Sequence, residues 1–336
     1  MISISHLNDT DEIMNFIDLE WKKNHILSRN KEFFLYEYQN KELLNFIISK
    51  SKGKINGILG FLLSSSDDNP TVWTTMWKVS KSNGSPVLGL QLFDYLLSLG
   101  YKSVVSNGIN PSTEIIYKYL GYFVGELNHY FIPNNKLKFF RIAKFKKDIL
   151  YENFIGEIPH GITYREISTI ELNQFFKSKK HIKTIPNKDY EYVKKRFYDH
   201  PIYNYKLYGV FKASEILSIM IVRIVNYGLS SCLRIVDFYG LEETIRIHTA
   251  NLIKKMYLSG FEYIDFLTFG LSNNILKRAG FKLLNHSQEE IIIPNYFEPL
   301  VKKNLKVRFF SNTKKIDSLR IFKADGDQDR PSILKK

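Results

Sequence analysis

The stretch 87-VLGLQLFDYLLSLGYKSVVSNGINPSTEIIYKYLGYF-123 decides the fold. It reads as helix, strand, turn, helix and a closing Gly–aromatic pair. The first helix ends at Leu99-Gly100-Tyr101, and a short β-branched strand follows. A polar turn with Gly108 and Asn110 leads into the second helix, which ends at Leu120-Gly121-Tyr122. Glycine just past a helix end accepts the left-handed conformation without steric cost. The same order returns at 243-ETIRIHTANLIKKMYLSGFEYIDFLTFGLSNNILKRAGFKLL-284, with helix ends at Ser259-Gly260-Phe261 and Ala279-Gly280-Phe281. The chain therefore carries an internal repeat, weak in letters and clear in pattern.

Working outward, each copy is preceded by strand material. In the first half, 46-FIISKSKGKINGILGFLLSS-65 makes two strands around a Lys-Gly-Lys turn, and 71-TVWTTMWKVS-80 makes a third. In the second half, 205-YKLYGVFK-212, 216-ILSIMIVRIVNYG-228 and 231-SCLRIVDFYG-240 make three successive strands. Three strands, then helix, strand, helix, strand is an α+β order, a mixed and mainly antiparallel sheet flanked by helices, present twice. The expected division is 1–135 and 160–300 for the two domains, 136–159 for a connector and 301–336 for a basic C-terminal extension. The connector segment 136-KLKFFRIAKFKK-147 carries six basic residues among aromatics. It fits either a polyanion-binding strip or, the favoured reading, a strand that buries Phe139, Ile142 and Phe145. The stretch 302-KKNLKVRFFSNTKK-315 poses the same choice.

Composition narrows the class. Of 336 residues, 44% are hydrophobic and 24% charged, which excludes a disordered chain. No apolar run approaches the ~20 residues of a membrane span, and the N-terminus lacks the pattern of a secretory signal, so a cytoplasmic protein is expected. The single cysteine, Cys232, excludes an internal disulfide framework. It sits mid-strand with no activating neighbour, which argues against a nucleophile. A net charge of +14 attracts polyanions: nucleic acid, anionic lipid, nucleotide-sugars or coenzyme A. Nucleophile-elbow, Walker-loop and zincin motifs are absent from the sequence, and no metal is expected. The alternating Asp325, Asp327 and Asp329 lack the rest of a calcium loop. They read as a solvated tail, with Arg330 placed to meet a phosphate as the alternative.

The repeat resembles the acyl-CoA-binding core of the GNAT superfamily of N-acetyltransferases. The residues that carry the likeness are the loop 81-KSNGSPVLGLQL-92 and the run 110-NPSTEIIYKYLGY-122. In that superfamily, amide N–H groups of a glycine-containing loop at a helix start hold the CoA pyrophosphate. Orphan helical donors plus the helix dipole make such an anion site. The resemblance implies an acetyl-CoA or other acyl-CoA site formed by Val79, Gly84, Ser85, Val87, Leu88, Gly89, Leu90 and Asn110. It implies Tyr117 as the acid that protonates the departing thiolate. The loop departs from the family pattern at Val87 and Pro86, which replace a glycine and a polar residue. In the second half, Glu242 and Glu243 stand where the pyrophosphate would bind, and Leu276 replaces the tyrosine. That half is therefore expected to have no acyl-CoA of its own.

Two further residues are candidates for accepting the amine proton. His129, on an expected strand, has an unperturbed pKa of ~6.5, and Asp237 stands at a strand end before a helix, where it could also cap that helix. A narrower likeness comes from 293-IPNYFEP-299, 322-FKADGDQDRPS-332, 105-VSNGIN-110 and 125-GELNHYFI-132. These strings resemble two-domain proteins of bacterial surface-polysaccharide loci, which implies an amino-sugar or nucleotide-sugar acceptor. Two alternatives remain open on the sequence. One is a Fem-type transferase that takes its acyl group from aminoacyl-tRNA, consistent with the basic strips. The other is a non-catalytic GNAT-like binding or scaffold protein.

Overall fold

The computed structural model describes residues 1–82, 85–146, 159–178 and 184–333. The first run of elements is β1 (Ile2–His6), α1 (Thr10–Phe16), α2 (Ile26–Arg29), α3 (Lys31–Tyr38), β2 (Gln39–Asn40), β3 (Leu43–Ser51), β4 (Lys54–Leu63), β5 (Thr71–Val79), α4 (Pro86–Ser98), β6 (Ser103–Asn107), α5 (Pro111–Tyr119), β7 (Phe123–Glu126) and β8 (Asn128–Pro133). The second run is β9 (Ile162–Glu166), α6 (Thr169–Lys177), α7 (Tyr190–Val193), β10 (Tyr205–Lys212), β11 (Glu215–Tyr227), β12 (Ser230–Gly240), α8 (Ile245–Ser259), β13 (Tyr263–Phe269), α9 (Asn273–Arg278), β14 (Lys282–Leu283), β15 (Arg308–Ser311) and β16 (Ile321–Phe322).

Local chemistry sets these boundaries. Lys52 and Gly53 both take positive φ (50° and 75°), the turn that closes a β3–β4 hairpin. α4 and α5 each start with a polar cap followed by proline: Ser85 accepts from the Leu88 amide and Asn110 from the Ser112 amide. At the other end, α8 stops at left-handed Gly260. The strands and helices expected from the repeat are present. The segment 136–146 differs, because it forms no strand. Its Lys144 makes an isolated bridge to Ile292, Ile142 is buried, and Phe139 is 84% exposed. The basic stretch near the C-terminus does hold a strand, β15.

Two mixed sheets result, with strand orders β1-β3-β4-β5-β6-β15-β7 and β14-β8-β13-β12-β11-β10-β9. The chain forms two compact units: residues 1–124 with 309–314 and 326–336, and residues 125–308 with 315–325. These units interleave, whereas the sequence reading drew contiguous blocks. The first sheet takes the strand between β6 and β7 from near the C-terminus. The second takes the strand between β13 and β14 from the first half of the chain.

The inserted strand β15 completes the first core. Phe309, Phe310 and Ser311 pair antiparallel with Asn107, Ser106 and Val105. Phe310 is fully buried among Leu92, Phe93, Val104 and Tyr117, and its ring stacks on Tyr117 with centroids 3.7 Å apart. Truncating a buried phenylalanine removes its transfer energy and leaves a cavity, about 3–5 kcal/mol together. All three tryptophans, Trp21, Trp73 and Trp77, lie in this first unit, so their emission reports on it. Phe310→Ala is expected to lower the urea midpoint of the tryptophan transition by that amount of stability. An unchanged midpoint would show that β15 is dispensable to the first sheet.

Candidate active site

The first unit has a defect in its sheet. β5 and β6 run parallel and pair from Thr71–Ser103 to Thr74–Ser106, then stop. On its other side β5 stays paired with β4 as far as Val79 opposite Gly57. A bulge explains the divergence. Leu59 faces Trp77 and Phe61 faces Thr74, so Thr75 and Met76 together oppose Gly60. A Cβ on Gly60 would lie 2.5 Å from the Thr75 hydroxyl oxygen, so the bulge needs glycine there. Among the described residues, no strand takes the place of β6 along Thr75–Val79. That edge of β5 presents peptide groups that require partners.

Aromatic residues back the gap. The Trp77 indole N–H donates to the Gly89 carbonyl at 3.1 Å. Its ring lies 5.6 Å from Phe93 and 6.2 Å from Tyr117. Tyr117 is 3% exposed. Burial raises its phenol pKa well above the usual value, against a smaller opposing effect of its hydrogen bond with Thr113, so the hydroxyl stays protonated at neutral pH. At the start of α4, Pro86 has no N–H and the Leu88 amide is held by Ser85, both by its hydroxyl at 3.2 Å and by its carbonyl at 3.1 Å. The Val87 amide is what this helix start offers an anion. Val87 and Leu90 are exposed, Leu88 packs in the core, and Val79 is half-buried. Asn110 caps α5 through its carbonyl oxygen, which accepts from the Ser112 amide and hydroxyl. Gly84 lies outside the described residues.

Gly89 is informative because the protein does not demand it. It is helical, and an added Cβ would meet only the Trp77 ring, at 3.5–3.7 Å, which is ordinary contact. Glycine inside a helix costs about 0.5–1 kcal/mol relative to alanine. A close approach by something other than the chain would account for it.

The second unit repeats the defect and fills it. β12 and β13 pair in parallel only from Leu233–Ile264 to Ile235–Phe266, and Val236 is the extra residue of a bulge against β11. Here β16 pairs with β13, Phe322 opposite Thr268, and the Ala324 amide donates to the Val236 carbonyl at 3.2 Å. Lys188, 1% exposed, anchors this segment with its ammonium 2.7 Å from both Asp237 and Asp325. Asp237 also accepts from the Tyr239 hydroxyl (2.6 Å) and the Phe238 amide (2.8 Å). Glu242 accepts from the Ser272 amide, which precedes α9, and pairs with Arg320 at 3.4 Å.

These positions correct several expectations. Asp237 neither faces a cleft nor caps the following helix; its carboxylate is occupied by a buried ammonium, a phenol and an amide. The tail is not solvated. Asp325 is buried, and Arg330, 9% exposed, pairs with Asp327 and donates to the Tyr38 hydroxyl at 2.9 Å. Tyr38 in turn donates to Thr75 on the β5 bulge at 3.1 Å. Arg330 is thus committed within the chain. In the basic segment, Lys144 donates to the Glu289 carbonyl and Lys146 pairs with Glu290 at 3.2 Å. His129 does lie on a strand, β8. It is fully buried, with Nε2 3.2 Å from Asp265, whose other partner is the buried Arg234. Tyr117 belongs to the first unit, and His129 and Asp237 to the second. Cys232 is buried, with its thiol pushed up to about 12 by desolvation. Sequence reasoning missed Trp77, Lys188 and the Arg330–Tyr38–Thr75 chain, because their partners lie far away in sequence and no motif marks them.

The Lys188 cluster makes one carboxylate pH-sensitive. Burial, aided by the neighbouring Asp237, raises the Asp325 pKa from 3.8 to about 7 despite the pull of Lys188. Across that window the folded chain holds a proton that the unfolded chain has released. Stability from this group therefore falls as pH rises from about 4 to about 7. Urea midpoints at pH 5 and pH 8 should show this as a difference between wild type and Asp325→Asn, since other titrating groups are common to both. An identical pH dependence in the two chains would remove Asp325 from the account.

The sequence matches no protein-family model and no curated protein. Solved structures do share the fold. A GCN5-related N-acetyltransferase from Anabaena variabilis superposes with a TM-score of 0.58 at 10% identity, over 93% of this chain and 72% of that one. A GCN5-related N-acetyltransferase from Kribbella flavida gives 0.53 at 10%, over 93% and 70%. A conserved protein of unknown function from Enterococcus faecalis gives 0.56 at 9%, over 93% and 71%. The architecture is an α+β fold with two GNAT-like halves.

Proposed function

We propose that the chain is a CoA-dependent N-acyltransferase whose reaction takes place in the first unit. The observation that carries this reading is the edge of β5 from Thr75 to Val79, along which no strand pairs among the described residues, beside a buried, protonated Tyr117. The second unit has the same gap and closes it with its own backbone, so we assign it no acyl-CoA.

Acyl-CoA would supply a thioester carbonyl and a thiolate leaving group. The chain's own residues do the rest. The amides along the open edge of β5 bind the extended arm in place of a strand and stabilise negative charge on the carbonyl oxygen. The Val87 amide and the positive end of α4 receive the diphosphate together with Ser85, whose hydroxyl can exchange its bond to Leu88 for one to the ligand. Gly84 joins this loop by sequence alone. Gly89 and the exposed Leu90 leave room along the helix, and Leu88 and Val79 pack beneath. Asn110 keeps its carboxamide nitrogen for the arm while its oxygen caps α5. As the C–N bond forms and the C–S bond breaks, Tyr117 gives its proton to the sulfur, the acceptor nitrogen releases its proton to solvent water, and the phenolate regains a proton from solvent. Asp237 is excluded as the base for the amine proton by its ion pair with Lys188, and His129 is assigned no part in the transfer.

The proposed acceptor is the amine of an amino-sugar or nucleotide-sugar used in surface-polysaccharide synthesis. The support is the likeness of the four strings quoted above. The structure gives one of them a separate architectural task, because Arg234 donates to the carbonyls of Pro294 and Asn295. A non-catalytic reading has one observation in its favour: Ser85 already occupies the Leu88 amide.

Acetyl-CoA added to the purified chain is expected to raise its thermal midpoint, as any ligand of the native state must. Val87→Glu places a carboxylate on an exposed site where the diphosphate would sit. It should abolish that rise while leaving the unliganded midpoint unchanged. With an amino-sugar acceptor, Tyr117→Phe should lower kcat by about 10²-fold or more, at the low end of general-acid contributions, with little effect on KM for acetyl-CoA. Absence of any acetyl-CoA stabilisation in wild type would refute the assignment.

A further inference from the structure

The segment that follows β8 holds an aromatic ring outward between two anchors. Asn134 is the first: its carboxamide accepts from the Lys136 amide at 3.1 Å and donates to the Phe261 carbonyl at 2.8 Å. Glu262 is the second. Its buried carboxylate accepts from the amides of Arg141 (2.7 Å), Ile142 (2.9 Å) and Ala143 (3.0 Å). Ile142 and Ala143 are buried, and Phe140 meets Phe145 edge to face with ring centroids 4.7 Å apart. Phe139 lies between the two anchors and is 84% exposed. One exposed phenylalanine says little by itself; what surrounds this one says more.

Phe139 borders an open hollow of about 440 Å³ that lies wholly in the second unit. Phe145 and Ile292 add to its apolar walls, and Lys138, Lys144 and Lys302 line it as well. All three lysines are exposed. Lys144 donates to the Glu289 carbonyl at 3.1 Å, a neutral partner that leaves its charge uncompensated. Among the described residues, no carboxylate pairs with Lys138 or Lys302. The carboxylates of the adjoining stretch, Glu289 and Glu290, are exposed, and Glu290 already pairs with Lys146 at 3.2 Å. Cations around hydrocarbon walls call for anions joined to hydrocarbon. A nucleic-acid strand supplies the anions, but its bases need rings to stack on, and apolar walls with one outward ring serve them poorly. An anionic bilayer supplies both parts: phosphates for the ammonium groups and an acyl boundary for an aromatic side chain. Among the described residues no helix is long and apolar enough to cross a membrane, so such contact is confined to the surface. We propose that this face of the second unit docks on an anionic lipid bilayer. Phe139 enters the acyl boundary, and Lys138, Lys144 and Lys302 meet lipid phosphates. Docking of this kind does not depend on acyl transfer in the first unit.

The test is sedimentation of the full chain with vesicles of phosphatidylcholine, with and without phosphatidylglycerol. Binding is expected only where phosphatidylglycerol is present, and it should weaken as salt is added. A net charge of +14 could draw any part of the surface to anionic lipid, so variants must locate the contact. Phe139→Ala should weaken vesicle binding about tenfold, and the double variant Lys138→Glu/Lys302→Glu at least about tenfold. These side chains are exposed, so the thermal midpoint should not change in either variant. All the tryptophans lie in the first unit, which makes Phe139→Trp a reporter of the second. Its added emission should shift to the blue on anionic vesicles. The proposal is overturned if anionic vesicles fail to bind, if neutral vesicles bind equally, if either lipid-binding variant binds undiminished, or if the Phe139→Trp emission stays unshifted. It is equally overturned if a single-stranded DNA oligonucleotide binds through Lys138 and Lys302 while vesicles do not.

Discussion

Two parallel strands that part company early govern this molecule. Parallel pairing needs evenly spaced rungs, and a single extra residue in the neighbouring ladder ends it. On β5 the extra residue arises where Thr75 and Met76 face Gly60, and on β12 it is Val236. In both places the bulge turns one strand away from its parallel neighbour. The result is a wedge whose walls are backbone amides and carbonyls inside an otherwise buried layer. Such groups cannot be left without partners at no cost.

The two halves answer this demand differently, and the comparison is internal to one chain. In the second unit the chain itself supplies the partner: β16 and Ala324 enter, fixed by the ammonium of Lys188 between Asp237 and Asp325. A buried cation between two carboxylates is costly to assemble and specific once made. In the first unit Trp77 and Tyr117 stand beside the wedge, and the tail instead reaches Tyr38 through Arg330. A glycine that the fold does not require, Gly89, lies on the helix bordering it. The same architecture thus holds one wedge filled by the chain's own backbone and one where, among the described residues, no strand takes that place.

Much of this was legible in the residues. Helix ends at Gly100, Gly121, Gly260 and Gly280 are local signals, as is the Lys52-Gly53 turn, and local signals survive without tertiary context. The alternating runs that became β10, β11 and β12 were equally plain. What sequence could not show was strand order. Nothing in 302-KKNLKVRFFSNTKK-315 says that Phe310 will lie on Tyr117, because that contact is a matter of long-range packing. The reading of Asp237 failed for a related reason. A carboxylate at a strand end looks available until Lys188, 49 residues earlier, and Asp325 are seen to enclose it. The Asp-rich tail misled similarly, since its charges match partners on remote elements rather than solvent. Among the expected site residues, Tyr117, Val87, Leu88, Gly89 and Leu90 do cluster around one helix and its neighbour. His129 stands in another sheet.

Exchange of strands between the two sheets has a consequence for biosynthesis. When a ribosome has released residue 124, the first sheet still lacks the strand that lies beside β6. Residues 125–308 must be made first, which takes roughly 10–40 s at elongation rates of 5–20 residues per second. During that interval the edge of β6 and the flat face of Tyr117 stay uncovered in the nascent chain, a condition that favours chaperone engagement over early, independent folding.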